Sequence, residues 1–325
     1  MDIDKALLEV GGMRPFQWLL FSLVNICTFV PIAANAMYYV FIAWTPGHHC
    51  KPAPSNNTDE PVQFNASLPQ CYELPDEFNV SKPCQHGWVY DMDYATESSI
   101  VTQWDLVCEY DYLAEMGETY SAVAACLGLF LITPLADKYG RKPIFFICMV
   151  GYLAVGIAMA FSPNLTAYYA LRFILSVIDT YTCIGLIIVM ELYSTKHRAF
   201  AGVGLEFFWL FAYFYLAMLM YFVRIWSHFI LAVVVPWIAF MGMYWILPES
   251  APWLLSVGRK KEAIQVLKFL AKGNCVEWSP PEEEELQNVE EEKEEEEVQM
   301  PFVQQLVLLV KDPILRRHTI MNCIY

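Results

Sequence analysis

The chain has 325 residues and a formal net charge of −15 at pH 7, yet only 17% of its residues are charged and 57% are hydrophobic. A soluble domain carries about 25% charged residues, so this composition excludes an ordinary soluble protein and indicates that lipid is the solvent. No Lys, Arg, Asp or Glu occurs between Arg14 and Lys51, or between Lys142 and Arg172. Such runs are long enough to cross about 30 Å of hydrocarbon as helices.

The apolar runs predict an all-α, polytopic membrane protein with six complete spans. They are Phe16 to Trp44, Thr119 to Ala136, Ile144 to Phe161, Tyr168 to Met190, Ala199 to Val223 and Phe229 to Leu247. The expected plan is a cytoplasmic N-terminus (1–15), the first span (16–44), an extracellular loop (45–113), spans two to six (114–248), a cytoplasmic linker (249–315) and the truncated start of a seventh span (316–325).

A short polar turn, Ala136 to Pro143, separates spans two and three. Gly140 permits a backbone reversal that a β-carbon would hinder, and Pro143 suits the first turn of the next helix. Because three of the residues in this turn are basic, the positive-inside rule predicts that it lies in the cytoplasm. The segments predicted to be cytoplasmic hold 16 of the 20 Lys and Arg residues.

The loop after the first span carries two signals for the opposite, lumenal side. Its three Asn-X-Ser/Thr sequons predict glycosylation, and its four cysteines predict two disulfides with three possible connectivities. The sequons are at Asn56, Asn65 and Asn79, and the cysteines are Cys50, Cys71, Cys84 and Cys108. The Lys and Arg distribution, the sequons and the loop cysteines all predict the same orientation. The plasma membrane is the expected location.

Two blocks in the second half of this loop, Cys84 to Asp91 and Ser99 to Cys108, predict a compact, strand-like region. They resemble the extracellular domain of the organic cation, organic anion and carnitine transporters of the major facilitator superfamily. The resemblance continues through nearly all of the chain. Its other motifs are Pro46 to Cys50, Asp137 to Lys142, Arg172-Phe173, Glu191 with Arg198, Tyr221 to Trp226, Pro248-Glu249-Ser250, Trp253 to Leu255, and Pro313 to Arg317.

The resemblance implies the N-terminal six-helix half of such a transporter, with the substrate held between two halves near mid-membrane. It also implies that the turn belongs to a cytoplasmic gate, and an ordinary positive-inside anchor is the alternative for the turn considered alone. The implied gate residues are Asp137, Arg141, Lys142, Glu191, Arg198 and Glu249.

The chain departs from the family pattern at four positions. Thr133, Ser176 and Ser194 stand where the family has glycine, and Pro252 stands where it has an arginine. These departures bear on conformational cycling and leave the expected fold unchanged.

Charged residues inside a membrane are costly and mark function more often than structure. Arg172 lies near the outer end of span four and is also explained by snorkelling, and Asp179 by a local charge pair with it. Glu206 falls where the resemblance implies a cavity-facing glutamine, with aromatic rings one and two turns on, a combination that suits an organic cation. Packing remains the alternative for the rings. The predicted substrate-binding residues are Asn35, Asp179, Glu206, Trp209 and Tyr213.

The linker contains two distinct parts. Arg259 to Lys272 has an apolar face opposite its basic residues, which predicts an amphipathic helix under the membrane. Glu282 to Glu297 holds 11 Glu and one Lys and is interpreted as a solvated linker.

No catalytic motif occurs, so the chain is not expected to be an enzyme or to need a cofactor. The adjacent His48, His49 and Cys50 allow a metal site, but Cys50 is better explained as half of a disulfide. The favoured function is alternating-access transport of organic ions, most of all cations. The alternative is a truncated, non-transporting form that binds or regulates a full-length relative. The expected partners are a small organic ion, the lipid bilayer and a missing C-terminal half or homologous subunit, with no nucleic acid.

Overall fold

A computed structural model describes residues 3–51, 70–73, 82–91, 98–279 and 311. The three sequons, the acidic run and the predicted seventh span lie outside these residues. Within them the protein is helical apart from one short two-stranded sheet.

The helices are named here in chain order. They are α1 (Ile3–Glu9), α2 (Pro15–Ala36), α3 (Tyr38–Ile42), α4 (Ile100–Gln103), α5 (Asp111–Tyr139), α6 (Arg141–Ala160), α7 (Leu165–Asp179), α8 (Tyr181–Glu191), α9 (Thr195–Phe222), α10 (Trp226–Val234), α11 (Trp237–Phe240), α12 (Ala251–Ser256) and α13 (Lys260–Gly273). Short 3₁₀ turns cover Cys108–Tyr110 and Met241–Trp245, and the strands are β1 (His48–Cys50) and β2 (Trp88–Tyr90).

Six helical segments of the described chain are long and apolar enough to cross a membrane, which confirms an all-α, polytopic membrane fold. One of them coincides with each predicted span. Span two begins earlier than expected, at Asp111 and not Thr119. The extra turns bury Ala114 and Gly117 while Glu115 and Glu118 remain exposed, so this end of the helix is amphipathic and continues beyond the apolar run.

Span four is divided into α7 and α8 at Thr180. Two threonine hydroxyls donate hydrogen bonds to backbone carbonyls near the break. Thr180 donates to the carbonyl of Val177 at 2.7 Å, and Thr182 donates to the carbonyl of Asp179 at 2.6 Å. Gly128 of α5 lies directly against this break, and a β-carbon there would overlap the Val177 carbonyl. The break therefore allows α5 to approach span four closely.

Pro31 lies within α2 and removes the backbone donor that would serve the carbonyl of Cys27. The hydroxyl of Tyr181, at the start of α8, donates to this carbonyl at 3.4 Å. Tyr181 is fully buried and also packs edge-to-face on Phe145 of α6. A proline that weakens one helix is thus compensated by a side chain from another.

The end of the bundle that carries β1 and β2 is called the disulfide end. The strands pair antiparallel, and the structure joins Cys50 to Cys84 and Cys71 to Cys108. The prediction of a strand-like segment from Ser99 to Cys108 is wrong, because this segment forms α4 and a 3₁₀ turn. Its helical start is stabilised by a capping box in which Ser99 and Thr102 bond each other's backbone N–H groups.

The opposite end, which carries the turn between α5 and α6, is called the basic end. Here α13 forms as an amphipathic helix, and it buries Ala263, Leu267 and Leu270. The ring of Phe269 packs edge-to-face on Phe16 at the start of α2. Asp4 of α1 accepts both the backbone N–H and the hydroxyl of Thr195, at 3.1 and 3.0 Å, and so caps the start of α9.

Candidate functional site

A cluster of polar side chains lies inside the bundle at membrane depth, where α2, α5 and α7 meet. Asp179 is the fifteenth residue of the 27-residue span Leu165–Glu191, and is therefore close to its middle. Arg172, Ser176 and Asp179 of α7 and Ser121 of α5 are all buried, with exposed fractions of 1–6%, and Asn35 of α2 is half-buried. These five residues are called the polar centre.

Asn35 links the other members of the polar centre. Its amide Nδ2 donates to Oδ2 of Asp179 at 3.1 Å, and its Oδ1 accepts the hydroxyl of Ser121 at 3.1 Å. Its backbone carbonyl accepts Arg172 Nη2 at 3.3 Å, and the hydroxyls of Ser121 and Ser176 lie 2.6 Å apart. The first span is thereby joined to the second and the fourth by directional bonds that apolar packing alone does not supply.

A second candidate surface is carried by α9. Glu206 is the twelfth residue of this 28-residue helix, about 16 Å from its start, and its side chain is exposed. Trp209 and Tyr213 pack edge-to-face with ring centroids 5.1 Å apart, and Trp209 also packs on Phe29 of α2 at 5.6 Å. The carboxylate and the two half-buried rings thus lie on neighbouring turns of one helix.

The structure brings the five predicted substrate-binding residues together only in part. Asn35 and Asp179 bond each other within the polar centre, whereas Glu206, Trp209 and Tyr213 lie on α9. From the sequence, Asp179 and Glu206 were both predicted to bind substrate. In the structure Asp179 is 6% exposed and turned into the bundle, while Glu206 is exposed.

At the basic end, most of the predicted gate residues contact one another. Arg141 forms an ion pair with Glu191 across the bundle and lies 3.8 Å from Asp137, one turn earlier in the chain. Glu191 also accepts the hydroxyl of Ser250. The indole N–H of Trp253 donates to the backbone carbonyl of Asp137 at 2.7 Å.

Glu249 acts as a cap for the start of α6. Its carboxylate oxygens accept the backbone N–H of Lys142 at 3.1 and 3.3 Å, and one of them also accepts the N–H of Ser250 at 3.0 Å. The first N–H groups of a helix lack partners inside the helix, and a negative charge is favourable there. Glu249 therefore joins the segment after span six to the start of span three.

The two remaining gate candidates have other contacts. The ammonium of Lys142 lies over the ring of Tyr244, 4.5 Å from its centroid. Arg198 donates to the backbone carbonyl of Tyr193 at 3.2 Å and forms no ion pair with a carboxylate of the described chain. Its predicted place in the charge network therefore stays a prediction.

Five residues of the polar centre and of the charge network were not predicted as site members, and Arg172, one of them, was considered only as an intramembrane charge. In the sequence, the one signal at Ser176 is that it replaces a family glycine, and in the structure its hydroxyl contacts that of Ser121. Ser250 and Trp253 follow Glu249 closely in the chain, so their motif was visible but their contacts were not. A hydroxyl such as that of Ser121 in an apolar run gives no signal of which helix it faces.

One group of side chains at the disulfide end has metal-ligand chemistry. The ligand atoms of His48, Cys71 and Cys108 lie within 4.8 Å of one another. Cys71 and Cys108 are joined as a disulfide, so they offer no thiolates to a metal ion. A site of this composition does not fit a metal in the oxidised protein.

His49 lies outside the membrane-spanning segments. Its imidazole is affected by its own burial and by the neighbouring His48. Desolvation, followed by repulsion from His48, lowers the pKa of His49 below its ordinary value. The neutral form of this ring is thus favoured within β1.

Six membrane-crossing helices with a charge network at one end define a multi-pass membrane protein. Residues 93–325 match the family described as "Sugar (and other) transporter". The chain therefore belongs to this family of the major facilitator superfamily.

The chain is also similar to individual proteins. The chain is 32% identical to organic anion transporter 3 of Oryctolagus cuniculus, an alignment that covers 84% of this chain and 52% of the relative. It is 30% identical to the organic cation transporter-like protein of Drosophila melanogaster, covering 88% and 53%. A solved structure of the proton:xylose symporter XylE is 13% identical, with a TM-score of 0.48 over 82% of this chain and 50% of that one. The chain spans about half the length of the curated relatives it matches.

Proposed function

We propose that this chain forms one wall of a transporter that moves organic ions across a membrane by alternating access, with a preference for cations. The proposal is supported by family membership and by the position of Glu206 on the exposed face of α9. Relatives are named for organic anions as well as for organic cations, so the charge preference is inferred from the residues of this chain. The plasma membrane is the proposed location.

The charge preference follows from which ionisable groups at membrane depth are exposed. The six apolar runs predicted as spans contain three charged residues: Arg172, Asp179 and Glu206. Arg172 is 3% exposed and already bonds Asn35, whereas Glu206 is exposed beside two aromatic rings. A carboxylate with nearby π faces attracts an organic cation, and this is the single observation that carries the preference.

The other wall of the cavity is proposed to be a second six-helix bundle. Only 11% of the most apolar window of Thr195–Phe222 is buried, against 56% for Pro15–Ala36, so α9 has a large face open to another partner. The bundle can belong to a longer form of this chain or to a homologous subunit. Substrate would then lie between the two, next to Glu206.

The charge network at the basic end is proposed to act as the gate. Its members already connect span two, span three, span four and the segment after span six. A network that holds four helix ends together can stabilise one closed arrangement, and it can open when these ends separate. Asp137 has 63% of its side chain exposed, which leaves it available to a second bundle.

The experiment is uptake of a fluorescent organic cation and of a fluorescent organic anion into cells that express the chain together with the second bundle, as the longer form or with the homologous subunit. Expected is cation uptake above that of untransfected cells, and a loss of about tenfold in cation selectivity with Glu206→Gln, equivalent to about 1.4 kcal/mol. Glu262→Gln is the matched control, because Glu262 is also an exposed carboxylate but lies outside the spans on α13. An unchanged ratio of cation to anion uptake in Glu206→Gln would remove Glu206 from the proposal.

The second candidate function is that of a non-transporting chain that binds a full-length relative. It predicts a different uptake result in the same cells. The open face of α9 supports it as well, because that face would then contact the relative. Co-expression would change the relative's uptake while the chain alone has none. Uptake by purified chain in liposomes, with native mass spectrometry to count subunits, distinguishes the two functions.

A further inference from the structure

The polar centre contains a buried carboxylate that the proposed transport cycle has not used. Asp179 is 6% exposed and lies near the middle of its span. Oδ2 accepts one hydrogen bond, from the neutral amide of Asn35, and Oδ1 has no hydrogen-bond partner among the described residues. An ionised carboxylate at membrane depth normally needs several donors or a close counter-ion.

The orientation of the Asn35 amide supports a hydrogen bond in which Asn35 Nδ2 donates to Oδ2 of Asp179. Ser121 donates to Oδ1 of Asn35, so the amide nitrogen must face Asp179. The hydroxyl of Ser121 is itself held 2.6 Å from that of Ser176. The amide of Asn35 is therefore a neutral donor to Asp179, and its orientation is set by the hydroxyl of Ser121.

The position of Asp179 along span four gives its negative charge no net support from helix dipoles. It is the last residue of α7 and directly precedes the start of α8, so the two helix dipoles act on it in opposite senses. Arg172 is seven residues earlier, about 10 Å along the helix axis, and it reaches the cluster through the backbone carbonyl of Asn35. Its positive charge acts on Asp179 electrostatically, while its guanidinium bonds the neutral backbone carbonyl of Asn35.

We propose that Asp179 is a site of reversible proton binding. The proton forms an O–H bond on Oδ1, and the Asn35 bond to Oδ2 is retained. The carboxylate becomes a neutral carboxylic acid, the proton comes from water, and no electron is transferred. Loss of the proton restores the anion and adds one negative charge between α2 and α7.

A metal cation fits the same place less well. Sodium needs several oxygen ligands that converge, but the nearby hydroxyls of Thr180 and Thr182 donate to the carbonyls of Val177 and Asp179. The Oδ1 of Asn35 accepts from Ser121. These oxygens are directed elsewhere, so they do not converge with the carboxylate on a common point.

The groups that face Asp179 from the surrounding helices are few. Tyr152 of α6, Tyr181 and Cys183 of α8 and Arg172 of its own helix interact with it electrostatically, and Asn35 of α2 and Ser121 of α5 are neutral. No second acid is among them. A pH response of the polar centre is therefore assigned to Asp179.

The test is infrared difference spectroscopy on the purified full chain in nanodiscs, recorded over the physiological pH range. Expected is a carbonyl band of a protonated carboxylic acid that changes with pH and is lost in Asp179→Asn. Glu206→Gln is the matched control and retains the band, because Glu206 lies on α9 outside the polar centre. Asn35→Ala shifts the band, because the hydrogen bond to the carboxyl group is removed.

Two results would overturn the proposal: identical spectra for wild type and Asp179→Asn at every pH, or a band that responds to sodium but not to pH. If Asp179→Asn does not fold, wild-type chain with ¹³C-labelled aspartate replaces it, and the pH-dependent band must then show the isotope shift and respond to Asn35→Ala. A role of this proton in solute movement rests on the proposed function. The infrared readout needs no transport, so failure of one proposal is distinguishable from failure of the other.

Discussion

The carboxylate of Glu249 accepts the backbone N–H of Lys142, although the two residues are separated by 107 positions in the chain. This contact places a negative charge at the start of α6, where helix dipoles favour it. It also explains the close approach of Gly140, whose missing side chain leaves room for Glu249. The turn between α5 and α6 is therefore shaped by the segment that follows span six.

Gly140→Ala is expected to destabilise the protein more than Gly258→Ala. Gly140 has φ of +108° and ψ of 147°, a conformation almost confined to glycine, and a β-carbon there would lie 2.8 Å from Glu249 Oε2. Gly258 has φ of +77° but nothing within 4 Å of an added β-carbon, so it shows backbone strain alone, about 1–2 kcal/mol. Thermal unfolding in detergent measures the difference, and equal midpoints would contradict the role of Glu249.

Trp253→Phe is expected to cost about 1 kcal/mol, because the carbonyl of Asp137 loses its indole donor while most of the buried ring is kept. Trp245→Phe is the matched control, since Trp245 is 80% exposed. Thermal unfolding followed by tryptophan fluorescence reports both variants. A drop in the midpoint for Trp245→Phe as large as that for Trp253→Phe would show that the indole bond is not the cause.

Gly185→Ala is expected to destabilise the packing of α8 by about 1–3 kcal/mol, because its β-carbon would overlap the methyl of Thr28 and lie 2.8 Å from Phe145. Gly202→Ala on α9 has no atom closer than 3.7 Å and is expected to be neutral or slightly stabilising, since alanine favours helix. The melting midpoint should fall for Gly185→Ala and should stay unchanged or rise slightly for Gly202→Ala. A stable Gly185→Ala protein would mean that α2, α6 and α8 are less closely packed.

The disulfides are expected to join Cys50 to Cys84 and Cys71 to Cys108. Peptide mapping by mass spectrometry under non-reducing conditions should recover these two linked pairs. Replacing both members of one pair by serine should cost about 2–5 kcal/mol of stability in the loop region. Recovery of a peptide that links Cys50 to Cys71 or to Cys108 would contradict the pairing.

Glycosylation at Asn56, Asn65 and Asn79 stays a prediction of the sequence and tests the orientation of the bundle. Expression in mammalian cells should give a protein whose gel mobility increases on treatment with peptide N-glycosidase F. Each Asn→Gln substitution should remove one step of that shift, and the triple variant should remove all of it. An enzyme-insensitive wild-type protein would contradict a lumenal disulfide end.

The part of the fold that could be predicted depends on local composition. An apolar run must have a minimum length to cross the bilayer, so all six spans were found, and the amphipathic pattern of α13 identified it as a helix. The segment from Ser99 to Cys108 was predicted wrongly because its composition is typical of strands. The capping box formed by Ser99 and Thr102 instead stabilises a helical turn.

The candidate sites were predictable as residues but not as contacts. Costly charges inside a membrane singled out Asp179 and Glu206, and the family motif singled out Arg141, Glu191 and Glu249. Which of them meet could not be predicted, because Asn35 and Asp179 are 144 positions apart and their contact depends on how α2 packs on α7. The same reason left the disulfide pairing open among three choices.

The sequence by itself determined the class of protein, the six spans of the described residues and the polar turns between them, because hydrocarbon thickness and the cost of unpaired backbone groups act on each segment separately. Only the tertiary structure decided that Glu249 caps α6, that Tyr181 serves the carbonyl left free by Pro31, and that Asp179 is buried while Glu206 is exposed. These relationships depend on the rotation and spacing of helices about their axes, and a pattern within one helix does not determine either.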